Sequence, residues 1–148
     1  MRLLILNGPN LNLLGVREPE LYGTQSYAAL RESLYAEAMA MGCEIDVRQT
    51  NHEGVLVDWI QEAYGKFDGI VINPAAYTHT SIAIADALRA VALPAVEVHL
   101  TDISKREPYR RISYTASACQ TTFAGLGLRG YVCAMEYLVR NFGKNTER

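Results

Sequence analysis

An α/β fold, a parallel sheet of five strands covered by helices on both faces, is predicted by three features of this 148-residue sequence. Short apolar runs alternate with amphipathic runs of helical period along the chain. Several of the short runs are apolar nearly throughout, as expected of strands covered on both sides. Glycine or proline stands just past most helical runs, where the chain must turn back toward the next strand.

Strands are expected at 2–6, 44–49, 69–72, 95–99 and 121–124. Between the first two, Tyr27, Leu30, Leu34 and Met41 mark a helical stripe closed by Gly42. Leu56, Trp59, Ile60 and Ala63 recur at i, i+3, i+4 and i+7 ahead of Gly65. Ile84, Leu88 and Val91 mark a third helix, ended by Pro94, and Tyr131, Met135, Leu138 and Phe142 a fourth. Parallel neighbours joined by right-handed crossovers, five strands in all, favour the flavodoxin-like order 2-1-3-4-5. Residues 1–148 read as one domain, with 143–148 as a frayed tail.

Bulk properties narrow the function. Net charge is −2 with no basic stripe, which argues against nucleic acid as the main partner. Cys43, Cys119 and Cys133 have no CxxC spacing and read as small apolar fillers in a reducing compartment. The run 3–6 is too short for a signal segment, and no stretch approaches the roughly 20 apolar residues of a membrane span. A soluble, cytoplasmic protein is expected.

In a sheet of this order, ligands bind beyond the carboxyl ends of the strands, at the switch point between strands 1 and 3. The segments 7–22, 73–81 and 99–110 collect there. The first is far longer than an ordinary turn of about two to six residues, and Asn12, Arg17 and Tyr22 bring groups able to bind or move protons. The second leads into a helix whose first amides suit a polar or anionic ligand. His79 there could donate to a hydroxyl; alternatively Thr78 or Thr80 caps the helix and His79 faces water. In strand 4, alternation puts Glu97 and His99 on one face, and a carboxylate beside an imidazole favours a proton donor near neutral pH. In the charged loop 101–111, one arginine could clamp a substrate oxygen.

Two further patterns are set aside. Gly125, Gly127 and Gly130 match GxGxxG but open the last helix, so they read as close helix–strand packing. His52, His79 and His99 lack the spacing of a zinc site, and strand 2 lies away from strands 3 and 4.

With these segments laid out, the chain resembles the type II 3-dehydroquinate dehydratase (type II dehydroquinase) family. The likeness rests on NGPNLNLLGVREPELYG at 7–23, QTNHEGVLVDW at 49–59, NPAAYTHTS at 73–81, EVHL at 97–100, REPYR at 106–110 and the turn at 125–131. It implies a flavodoxin-like fold, no metal or organic cofactor, and trimers assembled into a dodecamer. The implied reaction is dehydration of 3-dehydroquinate to 3-dehydroshikimate through an enolate. Its base would be Tyr22, activated by Arg17, and its general acid His99, oriented by Glu97. Asn12 would hold a water against the enolate oxygen. Asn73, His79 and Arg110 would bind hydroxyl and carboxylate groups, with Arg106 as a second arginine of a lid. The amides of Leu100 and Thr101 would meet the carboxylate, and Asp86 would come from a neighbouring subunit. The chain departs from the family pattern in Thr101-Asp102-Ile103-Ser104, where Ser-Asn-Ile-His is commoner, and at Thr121, where glycine is usual.

The chemistry is coherent without the resemblance. A tyrosine, ordinarily titrating at about 10, is a poor base at neutral pH, and a guanidinium within about 4–6 Å favours its phenolate. The alternative route, an imine on lysine, would have to use Lys66, Lys105 or Lys144, none of them in an apolar strand. A signalling receiver on the same fold would need acids where this chain has Asn7 and Asn73. A flavin carrier would need a hydroxyl-rich phosphate loop where it has 7–12.

Overall fold

The computed structural model describes residues 1–144 and contains one parallel sheet of order β2-β1-β3-β4-β5. The elements run β1 (Arg2–Asn7), α1 (Pro19–Tyr22), α2 (Tyr27–Met41), β2 (Glu44–Gln49), α3 (Glu53–Ala63), β3 (Gly69–Asn73), α4 (Ile82–Val91), β4 (Ala95–His99), β5 (Thr121–Ala124) and α5 (Arg129–Phe142). The expected order and all five strands are present. β1 and β3 each extend one residue further than expected, to Asn7 and Asn73, which pair with one another in register. The expected frayed tail falls mostly at 145–148, outside the described residues.

Strand alternation divides the core in two. Leu3 and Ile5 of β1 pack with Leu30 and Leu34 of α2 and with Tyr131, Met135 and Leu138 of α5. Leu4 and Leu6 face the other way, against Leu56 and Ile60 of α3 and Ile84 and Leu88 of α4. All four β1 side chains are wholly buried, each contributing on the order of 1.5–3 kcal/mol. A strand apolar on both faces is therefore what the topology requires at this central position.

The helix starts follow from local chemistry. Ser26 Oγ accepts from Ala29 N at 3.1 Å and caps α2. The residue that caps α4 is Ser81, whose Oγ accepts from Ile84 N at 3.0 Å, and not Thr78 or Thr80. The reason is an intervening 3-10 turn, Ala75–His79, that delays the helix to Ile82. Gly130 at the start of α5 is a packing glycine as expected, since a Cβ there would meet Val98 Cγ1 at 3.2 Å. Gly125 and Gly127 serve a different need: their φ of 75° and 56° shapes the turn before the helix.

Candidate active site

The carboxyl ends of β1, β3 and β4 and the loops after them enclose a cavity of about 50 Å³. Arg17, Tyr22, Asn73, His79, His99, Leu100, Thr101, Arg106 and Arg110, all expected in the site, line it. Three guanidiniums and two imidazoles line this space and, among the described residues, no carboxylate does, so the lining suits an anionic ligand. A larger hollow of about 790 Å³ opens at the opposite end of the strands, among Met1, Cys43, Asp68 and Pro94. None of the expected site residues is there.

Tyr22 comes from α1, one helical turn started by Pro19 within the long first loop. The Arg17 guanidinium lies over the Tyr22 ring, 4.7 Å from its centroid. The group on the phenol oxygen is a different one: Arg106 Nη1 donates to Tyr22 Oη at 3.1 Å. That bond pushes the Arg106 value up, while desolvation pulls it down. Two cations thus meet one phenol, one at its face and one at its oxygen. Arg106 also reaches Thr101 Oγ1 at 3.5 Å, joining α1 to the loop after β4.

Glu97 and His99 sit on one face of β4 as alternation requires, with His99 Nε2 at 2.8 Å from Glu97 Oε2. The carboxylate is wholly buried and His99 nearly so. Three hydroxyl and imidazole donors hold it. Ser113 Oγ donates at 2.9 Å and Thr115 Oγ1 donates in a shorter bond, both from the segment that returns toward β5. Burial pushes the Glu97 carboxyl up, but the bond and charge of His99 and the bonds from Thr115 and Ser113 outweigh it, holding Glu97 below the usual carboxylate range. An ionised Glu97 accepts from Nε2–H, which fixes the His99 tautomer and leaves the other ring nitrogen for the ligand. Cys119, pushed up to about 12 by burial and then by the Glu97 charge, is an inert thiol.

Behind the lining, Asn73 Oδ1 accepts from Ala75 N at 3.1 Å and Asn73 Nδ2 donates to Tyr131 Oη at 2.9 Å. His79 Nδ1 lies 2.7 Å from the Ile112 carbonyl, which can only accept. The neutral ring therefore offers the cavity an acceptor at Nε2, and His79 donates there only when protonated. Arg110 pairs with Glu107 at 3.3 Å.

Two expected residues lie elsewhere. Asn12 does not line the cavity: it is exposed in the 3-10 turn Leu11–Leu13, and its Oδ1 accepts from Gln49 Nε2 at 3.3 Å. Leu11 is the residue of that turn that points into the core, and Asn10, with φ of 67°, lines the cavity instead. Asp86 stands exposed on α4 beside Arg89, away from the cavity of its own chain. Sequence reasoning missed Asn10, Ser113, Thr115 and Tyr131. The hydroxyls at 113 and 115, spaced as one face of an extended segment, were the available signal for two of them.

The departures from the family pattern have a local account. Asp102 Oδ1 accepts from Ser104 N at 3.0 Å and from Ser104 Oγ at 2.6 Å, so the two unusual residues pair and start the turn Ile103–Lys105. Thr121 pairs with Val96 at the start of β5.

A doubly wound flavodoxin-like sheet with a cavity at its switch point, lined by arginines and histidines, has the architecture of a small-ligand enzyme. The family model for Dehydroquinase class II matches residues 1–139, and the chain belongs to that family. It is 53% identical over 135 residues to 3-dehydroquinate dehydratase 2 of Pseudomonas putida, covering 91% of each chain. It is 47% identical to a catabolic 3-dehydroquinase of Aspergillus oryzae, covering 99% of this chain and 95% of that one. The crystal structure of type II dehydroquinase from Butyrivibrio crossotus superposes with a TM-score of 0.92 at 45% identity, covering 93% and 97% of the two chains. The chain is accordingly an enzyme of the class II dehydroquinase family.

Proposed function

We propose that dehydration proceeds by anti elimination through an enolate, with Tyr22 as a tyrosinate base and His99 as the general acid. The observation that carries this reading is the shared cavity, in which a phenol contacted by Arg17 and Arg106 lies with the Glu97-bound His99. Tyr22 takes a proton from the carbon beside the ketone, and the electron pair moves to the carbonyl oxygen. Asn10, in the place expected of Asn12, holds a water against that oxygen. Collapse of the enolate breaks the carbon–oxygen bond, and the leaving hydroxyl takes the His99 proton to depart as water. Glu97 stabilises and orients the imidazolium. Arg110 and the amides of Leu100 and Thr101 bind the carboxylate, and Asn73 and His79 the hydroxyls.

The chain acts without an organic or metal cofactor as one catalytic domain, in the cytoplasm, in trimers gathered into a dodecamer whose neighbouring subunit supplies Asp86 to the site. Both biosynthetic and quinate-degrading roles fit the chemistry.

The test is ultraviolet detection of enone formation from 3-dehydroquinate with and without borohydride. Turnover is expected to survive borohydride, which would trap a lysine imine. Tyr22→Phe is expected to lose turnover while keeping ligand affinity within a few-fold; a near-parental rate in this variant refutes the base assignment.

A further inference from the structure

We infer that Tyr131, a wholly buried phenol of α5 set behind the cavity lining, is a positioning residue that fixes Asn73 as a hydrogen-bond donor to the substrate. The inference rests on the proposed site and concerns which end of one amide that site presents.

Four hydrogen bonds in series link five groups. Asn73 Oδ1 accepts from the backbone N–H of Ala75 at 3.1 Å, and Asn73 Nδ2 donates to Tyr131 Oη at 2.9 Å. Tyr131 Oη donates to Asn7 Oδ1 at 2.6 Å, and Asn7 Nδ2 reaches the Arg48 carbonyl at 3.4 Å. The direction of every bond is set by the ends. A backbone N–H can only donate, so the oxygen of Asn73 must face Ala75 and its nitrogen must face Tyr131. The phenol, having accepted, spends its one hydrogen on Asn7, and the Arg48 carbonyl requires the nitrogen of Asn7 at the other end. Turning Asn73 over would set donor against donor at Ala75, and turning Asn7 over would set acceptor against acceptor at Arg48. Asn7 and Tyr131 are wholly buried and Asn73 nearly so, and at the part-buried ends each such mismatch leaves a polar group without its partner.

Asn73 lines the cavity while 3% exposed. With its oxygen engaged by Ala75 and one N–H by Tyr131, its second N–H is the hydrogen left for a ligand. Residue 73 therefore selects an oxygen lone pair, as of a hydroxyl or a developing enolate. Without the phenol, the amide loses the partner that holds its nitrogen end. Burial also pushes the Tyr131 phenol up, so it keeps its proton and the chain keeps its direction across the working pH range.

The experiment is a double-mutant cycle on kcat/KM with 3-dehydroquinate, using Tyr131→Phe, Asn73→Ala and the double variant, each checked by circular dichroism and thermal midpoint. If Tyr131 acts through Asn73, Tyr131→Phe lowers kcat/KM about tenfold, and the double variant is no slower than Asn73→Ala. A merely structural tyrosine would lower the midpoint while its loss of rate multiplied with that of Asn73→Ala. Multiplied losses, or a Tyr131→Phe rate within twofold of the parent, overturn the inference. Asn73→Ala at the parental rate would instead sink the site assignment itself. Should Tyr131→Phe fail to fold, Asn7→Ala, at the far end of the chain and away from the cavity, enters the same cycle under the same criteria.

Discussion

At the scale of single residues, the side chains of the site are held by partners set behind the cavity lining. Glu97 is the clearest case, because a carboxylate buried in a strand would be costly without its three donors. Thr115→Val keeps the shape of one donor and removes its hydroxyl. Hydrogen bonds to charged groups contribute about 1.5–3 kcal/mol, so a loss of that order is expected in urea denaturation at pH 7. The pH dependence has a definite sign. Glu97 sits below its unfolded value of about 4.3, so its ionised-state stability is fully present above that pH and declines as pH falls toward the folded value. The difference between Thr115→Val and parent should therefore be full near neutrality and shrink below about pH 4. An equal difference at pH 7 and pH 3 would mean that Thr115 does not act on the charge.

At the scale of elements, the site depends on how closely two loops approach. A Cβ on Gly8 would lie 2.4 Å from the Pro74 carbonyl oxygen, while Gly8 N donates to Asn73 O at 2.8 Å. Glycine is thus needed here for space between backbones, in a conformation that other residues can adopt. Gly8→Ala should force apart the loops after β1 and β3, costing about 1–3 kcal/mol of stability with a clear loss of rate, measured by urea denaturation and turnover. The turn α1 belongs to the same scale. Its contact to the loop after β4 runs through Arg106, which donates to Tyr22 Oη at 3.1 Å. The segment 17–23 is expected to open as a lid, so limited proteolysis there should slow when ligand is bound. Equal cleavage in both states would contradict the lid.

At the scale of the whole molecule, Asp86 is the residue that one chain leaves without a role. It projects from α4 at 70% side-chain exposure, paired with Arg89 at 3.5 Å. If a neighbouring subunit uses it, Asp86→Ala should reduce kcat/KM roughly tenfold while the thermal midpoint of the fold stays close to the parent's. Sedimentation of the parent should show an assembly of twelve chains, and a fully active monomer would remove Asp86 from the site. Among the described residues no helix is long and apolar enough to cross a membrane.

The sequence by itself determined the sheet and its order, because apolar runs on strands and stripes on helices report directly which surfaces must leave water. It also determined the pairing of Glu97 with His99, since two residues apart on a strand share a face whatever surrounds them. Only the tertiary structure decided which of Asn10 and Asn12 meets the cavity, because a three-residue turn inside a long loop obeys no period legible in the chain. Tertiary structure likewise decided that Arg106, 84 residues from Tyr22, holds the phenol oxygen. The same is true of Tyr131, which joins Asn7 and Asn73 across 124 and 58 residues. Local pattern carries hydrophobic burial, which is additive along an element. The direction of a hydrogen bond depends on a partner that only the completed fold brings within 3 Å.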